Sequence, residues 1–151
     1  MKQVHVECLP DELLVSKLGF QRKMITHHQG RSRIFFELSK VKHQLAMVDE
    51  DIGSGRSNHE KSLKLLDEYE GIKYFTDQSE NKICILKGKL EDWIINICKK
   101  NKIKLSEYGL PEKADELHEV VHLKLQNFGK LIDLLIAKKN PAILKLKAWL
   151  N

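Results

Sequence analysis

Glu7 and the run Asp49-Glu50-Asp51 are the residues best suited to chemistry in this 151-residue chain. Each follows an apolar run of strand length, Val4-His5-Val6 before Glu7 and Leu45-Ala46-Met47-Val48 before Asp49. In a parallel α/β sheet the carboxyl ends of strands line the ligand crevice, so Glu7, Asp49 and Asp51 are expected to converge there. Carboxylates held side by side repel one another when ionised, and a hard divalent cation, Mg²⁺ or Mn²⁺, relieves that repulsion. The chemistry to expect is metal-assisted attack on phosphates, with Asp49 and Asp51 as ligands and Glu7 as a further ligand or a general acid or base. The i,i+2 spacing of Asp49 and Asp51 puts both on one face if the strand continues through them, with Glu50 facing away. A plainer reading competes, because acids after strands also cap helices, and Asp-Glu-Asp-Ile-Gly makes an ordinary polar turn.

Three further groups carry chemistry-bearing residues. Glu91-Asp92 follows an apolar strand candidate and the turn Lys87-Gly88-Lys89, and either completes the acidic site or favours a helix start, where negative charge is stabilising. His118-Glu119-Val120-Val121-His122 matches the HExxH pattern, which on a helix sets two histidines on one face to bind Zn²⁺. No histidine follows His122 and the only later acid is Asp133, so a third ligand is missing and a surface pair is the simpler expectation. His27-His28 precedes Gly30-Arg31-Ser32-Arg33, where backbone amides and an arginine at a helix start would suit a phosphate; exposed arginines and a packed histidine are the alternative.

The elements that must position these residues follow from periodicity. Strands are expected over 2–6, 24–28, 44–48, 72–75 and 82–86, and helices over 11–18, 32–43 and 59–70. Gly53-Ser-Gly-Arg-Ser-Asn58 is the most loop-like stretch. From Leu90 onward the pattern is helical, with apolar faces at Leu117/Val120/Val121, at Phe128/Leu131/Ile132/Leu135 and at Ile143/Leu146/Trp149/Leu150. Alternating strands and helices followed by helices alone predict an α/β fold, a parallel or mixed sheet flanked by helices, with an all-helical C-terminal extension.

Hydrophobic residues make up 42% of the chain, enough for one domain with a real core. The N-terminus lacks the apolar core of a signal peptide and no run approaches a membrane span, which predicts a cytoplasmic protein. Cys8, Cys84 and Cys98 are too few and too scattered for a disulfide framework or a cysteine zinc site. The net charge of +5 lies in the last third: residues 1–95 hold 15 basic and 15 acidic side chains, and 96–151 hold 11 lysines against 6 acids. Basic helices beside an acidic metal site would suit a polyanion, although lysines around amphipathic helices also serve solubility.

The acid set resembles that of the Toprim fold shared by bacterial primases, topoisomerases and OLD-family nucleases, in which a Glu follows the first strand and an Asp-x-Asp a later one. Glu7 matches the first position, Asp11 the acidic position four residues on, and Asp49 and Asp51 the Asp-x-Asp; Cys8 stands where the family usually has Gly. The resemblance covers residues 2–95 and implies a Toprim-like core over 1–95, with helices of 96–151 packed on it as one domain. It implies Mg²⁺ (or Mn²⁺) held by Glu7, Asp49 and Asp51, with Asp11 and Glu91 as further candidates, and phosphodiester chemistry on nucleic acid. The OLD-family likeness implies a nuclease component working with a separate ATPase, in phage defence or DNA processing. Two alternatives stay open: a non-catalytic Toprim-like module binding a partner protein or nucleic acid, and, more remotely, an HExxH zinc peptidase.

Overall fold

Two apolar faces alternate along the central strands, and each is covered by its own helices. The computed structural model describes residues 2–50 and 58–151. Among them six strands, β1 (Val4–Val6), β2 (Ile25–His27), β3 (Leu45–Asp49), β4 (Lys64–Tyr69), β5 (Ile72–Thr76) and β6 (Lys82–Leu86), form one sheet in the order β2-β1-β3-β6-β5-β4. The first four in that order run parallel, and β5 pairs antiparallel with both β6 and β4. The sheet is therefore mixed.

The helices are α1 (Leu9–Lys17), α2 (Arg31–Leu38), α3 (Asn58–Lys61), α4 (Leu90–Lys100), α5 (Ala114–Val120), α6 (Leu125–Ala137) and α7 (Pro141–Leu150). Val4, Val6, Leu45, Met47, Cys84 and Leu86 share one buried cluster with α1 and α4 to α7. Ala46, Val48, Ile83 and Ile85 point the other way, against Ile34, Phe35 and Leu38 of α2. This period-two division makes a three-layer α/β arrangement, and the C-terminal helices belong to the larger apolar cluster. Helix α7 begins on a strong cap: the Asn140 side-chain oxygen accepts from the amides of Ala142 and Ile143 at 3.0 and 3.2 Å, with Pro141 in the first turn.

One expected element is replaced. The helix expected over 59–70 is instead the single turn α3 followed by edge strand β4. Every residue of β4 is exposed, so no buried face imposed strand alternation on its sequence, and Leu63, Leu66 and Tyr69 fall by chance at helical spacing. Pairing with β5, through a bulge between Leu65 and Asp67, overrides that local pattern.

Candidate metal centre

The chain leaves β1 to one side for β2 and returns on the other for β3, so the sheet's topological switch point lies between β1 and β3. Parallel strands open a crevice at their carboxyl ends at such a point. Glu7 follows β1 and Asp49 ends β3, and the Asp49 amide lies 3.4 Å from Glu7 Oε1. Asp49 is in phase with Leu45 and Met47, on the side of the sheet covered by α1 and α4. Those helices supply Asp11 and Glu91, both buried. Asp11 and Asp49 thus both feel the charges of Glu7 and Glu91, and Asp49 also feels that of Asp11. Asp51 lies outside the described residues.

The coupling is visible in proton affinity. Burial raises the Asp11 carboxyl to about 7, with the charges of Glu7 and Glu91 adding to it; the neighbouring Cys8 thiol and Glu7 backbone temper the rise. Burial raises Asp49 to about 8, reinforced by Asp11, Glu7 and Glu91 and opposed by the Leu90 amide. That amide donates to Asp49 Oδ1 at 3.1 Å, so Asp49 does cap the start of α4. A plain helix cap holds its proton less tightly than usual, through the hydrogen bond and the helix dipole. Here crowding and desolvation win.

Among the described residues no lysine or arginine pairs with Asp11 or Asp49. Both oxygens of Asp11 are buried with only the Cys8 thiol and the Glu7 backbone beside them, and Oε2 of Glu91 is buried without a hydrogen-bond partner. Buried carboxylate oxygens are hard donors, the type a divalent cation takes. Among the described residues no three His, Cys, Asp or Glu side chains close around one point in ligating geometry.

The residues around the crevice are largely engaged with one another. His27 Nε2 lies 2.8 Å from the Glu7 carbonyl, and His28 Nε2 lies 2.8 Å from His5 Nδ1. His5 Nε2 is 2.7 Å from Gln44 Oε1, so the proton sits on that nitrogen and Nδ1 accepts from His28. Burial, then His5, lowers the affinity of His28 for a further proton. Arg31 donates to the Asp49 carbonyl and pairs with Glu60 of α3, and Arg33 pairs with Glu37 at 2.9 Å. Of the two arginines weighed for a phosphate, Arg31 thus serves the protein's own backbone and Glu60, and Arg33 is exposed beside Glu37.

His118, expected from the sequence as half of a surface pair, lies beside Glu91. Its Nδ1 stands 3.3 Å from Glu91 Oε1, which joins α5 to the acidic group. Helix α5 ends at Val120, His122 sits exposed in the following 3₁₀ turn, and among the described residues no third ligand joins the two histidines.

Burial raises the thiols of Cys8 and Cys84 and pushes Cys98 up to about 12, which leaves the cysteines as protonated packing groups.

Comparison with protein-family models, curated proteins and solved structures finds no match for this chain.

Proposed function

We propose that the chain is a Toprim-like, Mg²⁺- or Mn²⁺-dependent component that cleaves nucleic-acid phosphodiesters, working with a separate ATPase. The observation that carries this reading is the nearness of Glu7, Asp11, Asp49 and Glu91 at the sheet's switch point, with Asp11 buried and no lysine or arginine paired with it among the described residues. Glu7 and Asp49 are the first candidates to hold the ion, with Asp11 and Glu91 behind them. A bound divalent ion supplies charge neutralisation and Lewis acidity at the phosphate. Glu7, just past β1, is the acid best placed to take or return a proton at the crevice mouth.

The surroundings suit a polyanion. A cavity of about 240 Å³ lined by Lys87, Lys99, Asn96 and the paired Lys100 and Glu70 starts beside the end of β6, the strand paired with β3. Another, of about 180 Å³, is lined by Arg31, Lys61 and Lys73 with Glu50 and Glu60. Lysines along such tracks contact the phosphate backbone and make binding salt-dependent.

The test is cleavage of DNA and RNA with Mg²⁺ or Mn²⁺, by the chain alone and with candidate ATPases. Asp49→Asn, which keeps an oxygen to accept from Leu90, should abolish cleavage while the protein stays folded. An equally active variant would overturn the reading. A second reading rests on the near-complete burial of Asp11: held protonated, it is a neutral packing group, and the chain is a non-catalytic module. Binding of nucleic acid that is unchanged in Asp49→Asn and by chelator would favour that module.

A further inference from the structure

Two cavities meet along one side of α4. The first, of about 240 Å³, is lined by Trp93, Asn96, Ile97 and Lys99 of that helix and by Lys87. The second, of about 180 Å³, runs past Asn101 to Asn140 and Pro141 at the start of α7. Glu70, Ile97 and Lys100 line both, so the two are halves of one groove. Trp93, Asn96, Ile97, Lys100 and Asn101 recur at the spacing that sets residues in one stripe along a helix. One turn before Trp93 stands Leu90, whose amide bonds Asp49, so the groove leads away from the crevice end of α4.

The facing wall is the turn between β4 and β5. Glu70 and Gly71 take φ +44° and +79°, as a two-residue hairpin turn requires, and Trp93 Nε1 donates to the Glu70 carbonyl at 3.0 Å. That bond pins the turn to α4 and leaves the Glu70 side chain as the part that can move. Its Oε2 pairs with Lys100 Nζ at 2.5 Å between the two walls, and both side chains are open to water. A pair so exposed is held weakly and is readily exchanged for another partner.

Charge in the groove is one-sided. Among the described residues Glu70 is the only acid in either lining, against Lys87, Lys99 and Lys100, and neither Lys87 nor Lys99 pairs with an acid. Ammonium groups gathered around a concavity focus positive potential and draw an anion. At the far end Tyr69 lines the second cavity, partly exposed, with Lys145 Nζ 5.7 Å from its ring centroid. Lysines that take phosphates beside an aromatic ring that takes a base are the parts of a single-strand binding track. An acidic peptide would use the lysines and leave the ring idle. A groove closed in by a hairpin turn and a helix start admits one strand and excludes a duplex.

We propose that this groove is a track for single-stranded nucleic acid, in which the Glu70 carboxylate stands on Lys100 where a phosphate of the strand would sit and gives way when the strand binds. This rests on the nucleic-acid part of the reading given above and is independent of any metal. Its signature is the sign of one substitution: Glu70 opposes binding, so removing its charge must tighten binding, whereas damage to the groove would weaken it.

The test is fluorescence anisotropy of end-labelled oligothymidylate and oligouridylate, in chelator, over a range of salt concentrations, with thermal melts on every variant. Lys87→Gln, Lys99→Gln and Lys100→Gln should each weaken binding and reduce the slope of log affinity against log salt by about 0.7, the increment for one phosphate of a single strand. Glu70→Gln should bind more tightly with a steeper slope, and the gain should vanish when Lys100→Gln is added. Tyr69→Leu should bind about fivefold or more weakly with its salt slope unchanged, because stacking and not charge is lost.

A Glu70→Gln protein that melts as wild type and binds equally or more weakly overturns the inference. Should that variant melt early, the three lysine slopes decide. Tighter binding of duplex than of single strand overturns it too, as does displacement of the strand by polyglutamate as effective as that by unlabelled oligonucleotide. Wild-type affinity in all three lysine variants places the strand elsewhere and leaves the cleavage reading intact. A wild type that binds no strand in chelator also overturns the inference, while cleavage with Mg²⁺ or Mn²⁺ is read separately and stands or falls with Asp49→Asn.

Discussion

The backbone amide of Asp49 faces the side chain of Glu7, with Oε1 3.4 Å away, across the gap between two parallel strands separated by 42 positions in the chain. Glu7 thereby meets both the strand that carries Asp49 and the acidic group that Asp49 belongs to. The arrangement concentrates negative charge at the sheet's switch point, and its first consequence is for stability.

Asp11 and Asp49 hold their protons more tightly folded than unfolded, at about 7 and about 8 against an ordinary value of 3.8. The folded state therefore binds more protons, and stability must fall as pH rises from about 4 through about 8, the pair titrating together. Asp11→Asn removes one of the charges at similar volume. Without divalent cations it should melt higher than wild type at pH 8, by about 2–4 °C per kcal/mol gained, with a smaller difference at pH 5. Melting curves across pH 4–9 in chelator check this, and a variant less stable than wild type at pH 8 contradicts it.

A cation should reverse the same penalty. Mg²⁺ or Mn²⁺ bound only by the folded state stabilises it by about 2.7 kcal/mol at a hundred times its dissociation constant. The rise in melting temperature should be clear at pH 8, where the carboxylates are ionised, and weak at pH 5, where protons compete. Asp49→Asn should lose most of it. Equal shifts in wild type and Asp49→Asn would place the ion elsewhere.

Arg31 ties together elements on either side of the crevice. It donates to the carbonyl of Asp49 and pairs with Glu60, with side chains only 12% and 8% accessible. Removing one member of a buried pair usually costs about 3–5 kcal/mol. Arg31→Ala should therefore destabilise strongly, and Arg31→Lys, which offers a single ammonium in place of a planar fork, should recover only part. If Arg31 were instead a solvent-facing phosphate ligand, its removal would leave the denaturant midpoint unchanged and raise only the salt sensitivity of nucleic-acid binding.

The legible parts of the chain were those where burial dictates pattern. β3 reads as a continuous apolar run because both faces are covered, and the strand-end rule then puts Asp49 at the crevice. Glu7, Asp11 and Glu91 were legible as acids beside element ends. What failed had no local signature. β4 is an exposed edge whose composition reads as helix, and the approach of His118 to Glu91 joins residues 27 apart through the packing of Leu117, which no spacing rule encodes. The HExxH pattern drew attention to His118, but its place beside Glu91 follows from packing and not from that spacing.

Gly88 offers the last check, because the turn that delivers Glu91 depends on it. It adopts φ +71°, and a Cβ there would meet Asp92 Oδ2 at 2.8 Å and Asp92 Cβ at 3.0 Å. Asp92 accepts the Lys89 amide through that same oxygen, and the next amide, Leu90, bonds Asp49. Gly88→Ala thus strains the turn and pushes on the residue that fixes the first turn of α4. Left-handed backbone alone costs a non-glycine residue about 1–2 kcal/mol, and the contact with Asp92 should add to that. In an Asp92→Ala background the carboxylate part of the clash is gone, so Gly88→Ala should cost less there, with a coupling of about 0.5 kcal/mol or more. Urea denaturation of the four proteins measures the cycle. Additive costs would mean that the turn relaxes away from Asp92, whereas coupling together with weaker Mn²⁺ binding in Gly88→Ala would tie the turn's geometry to the acidic site.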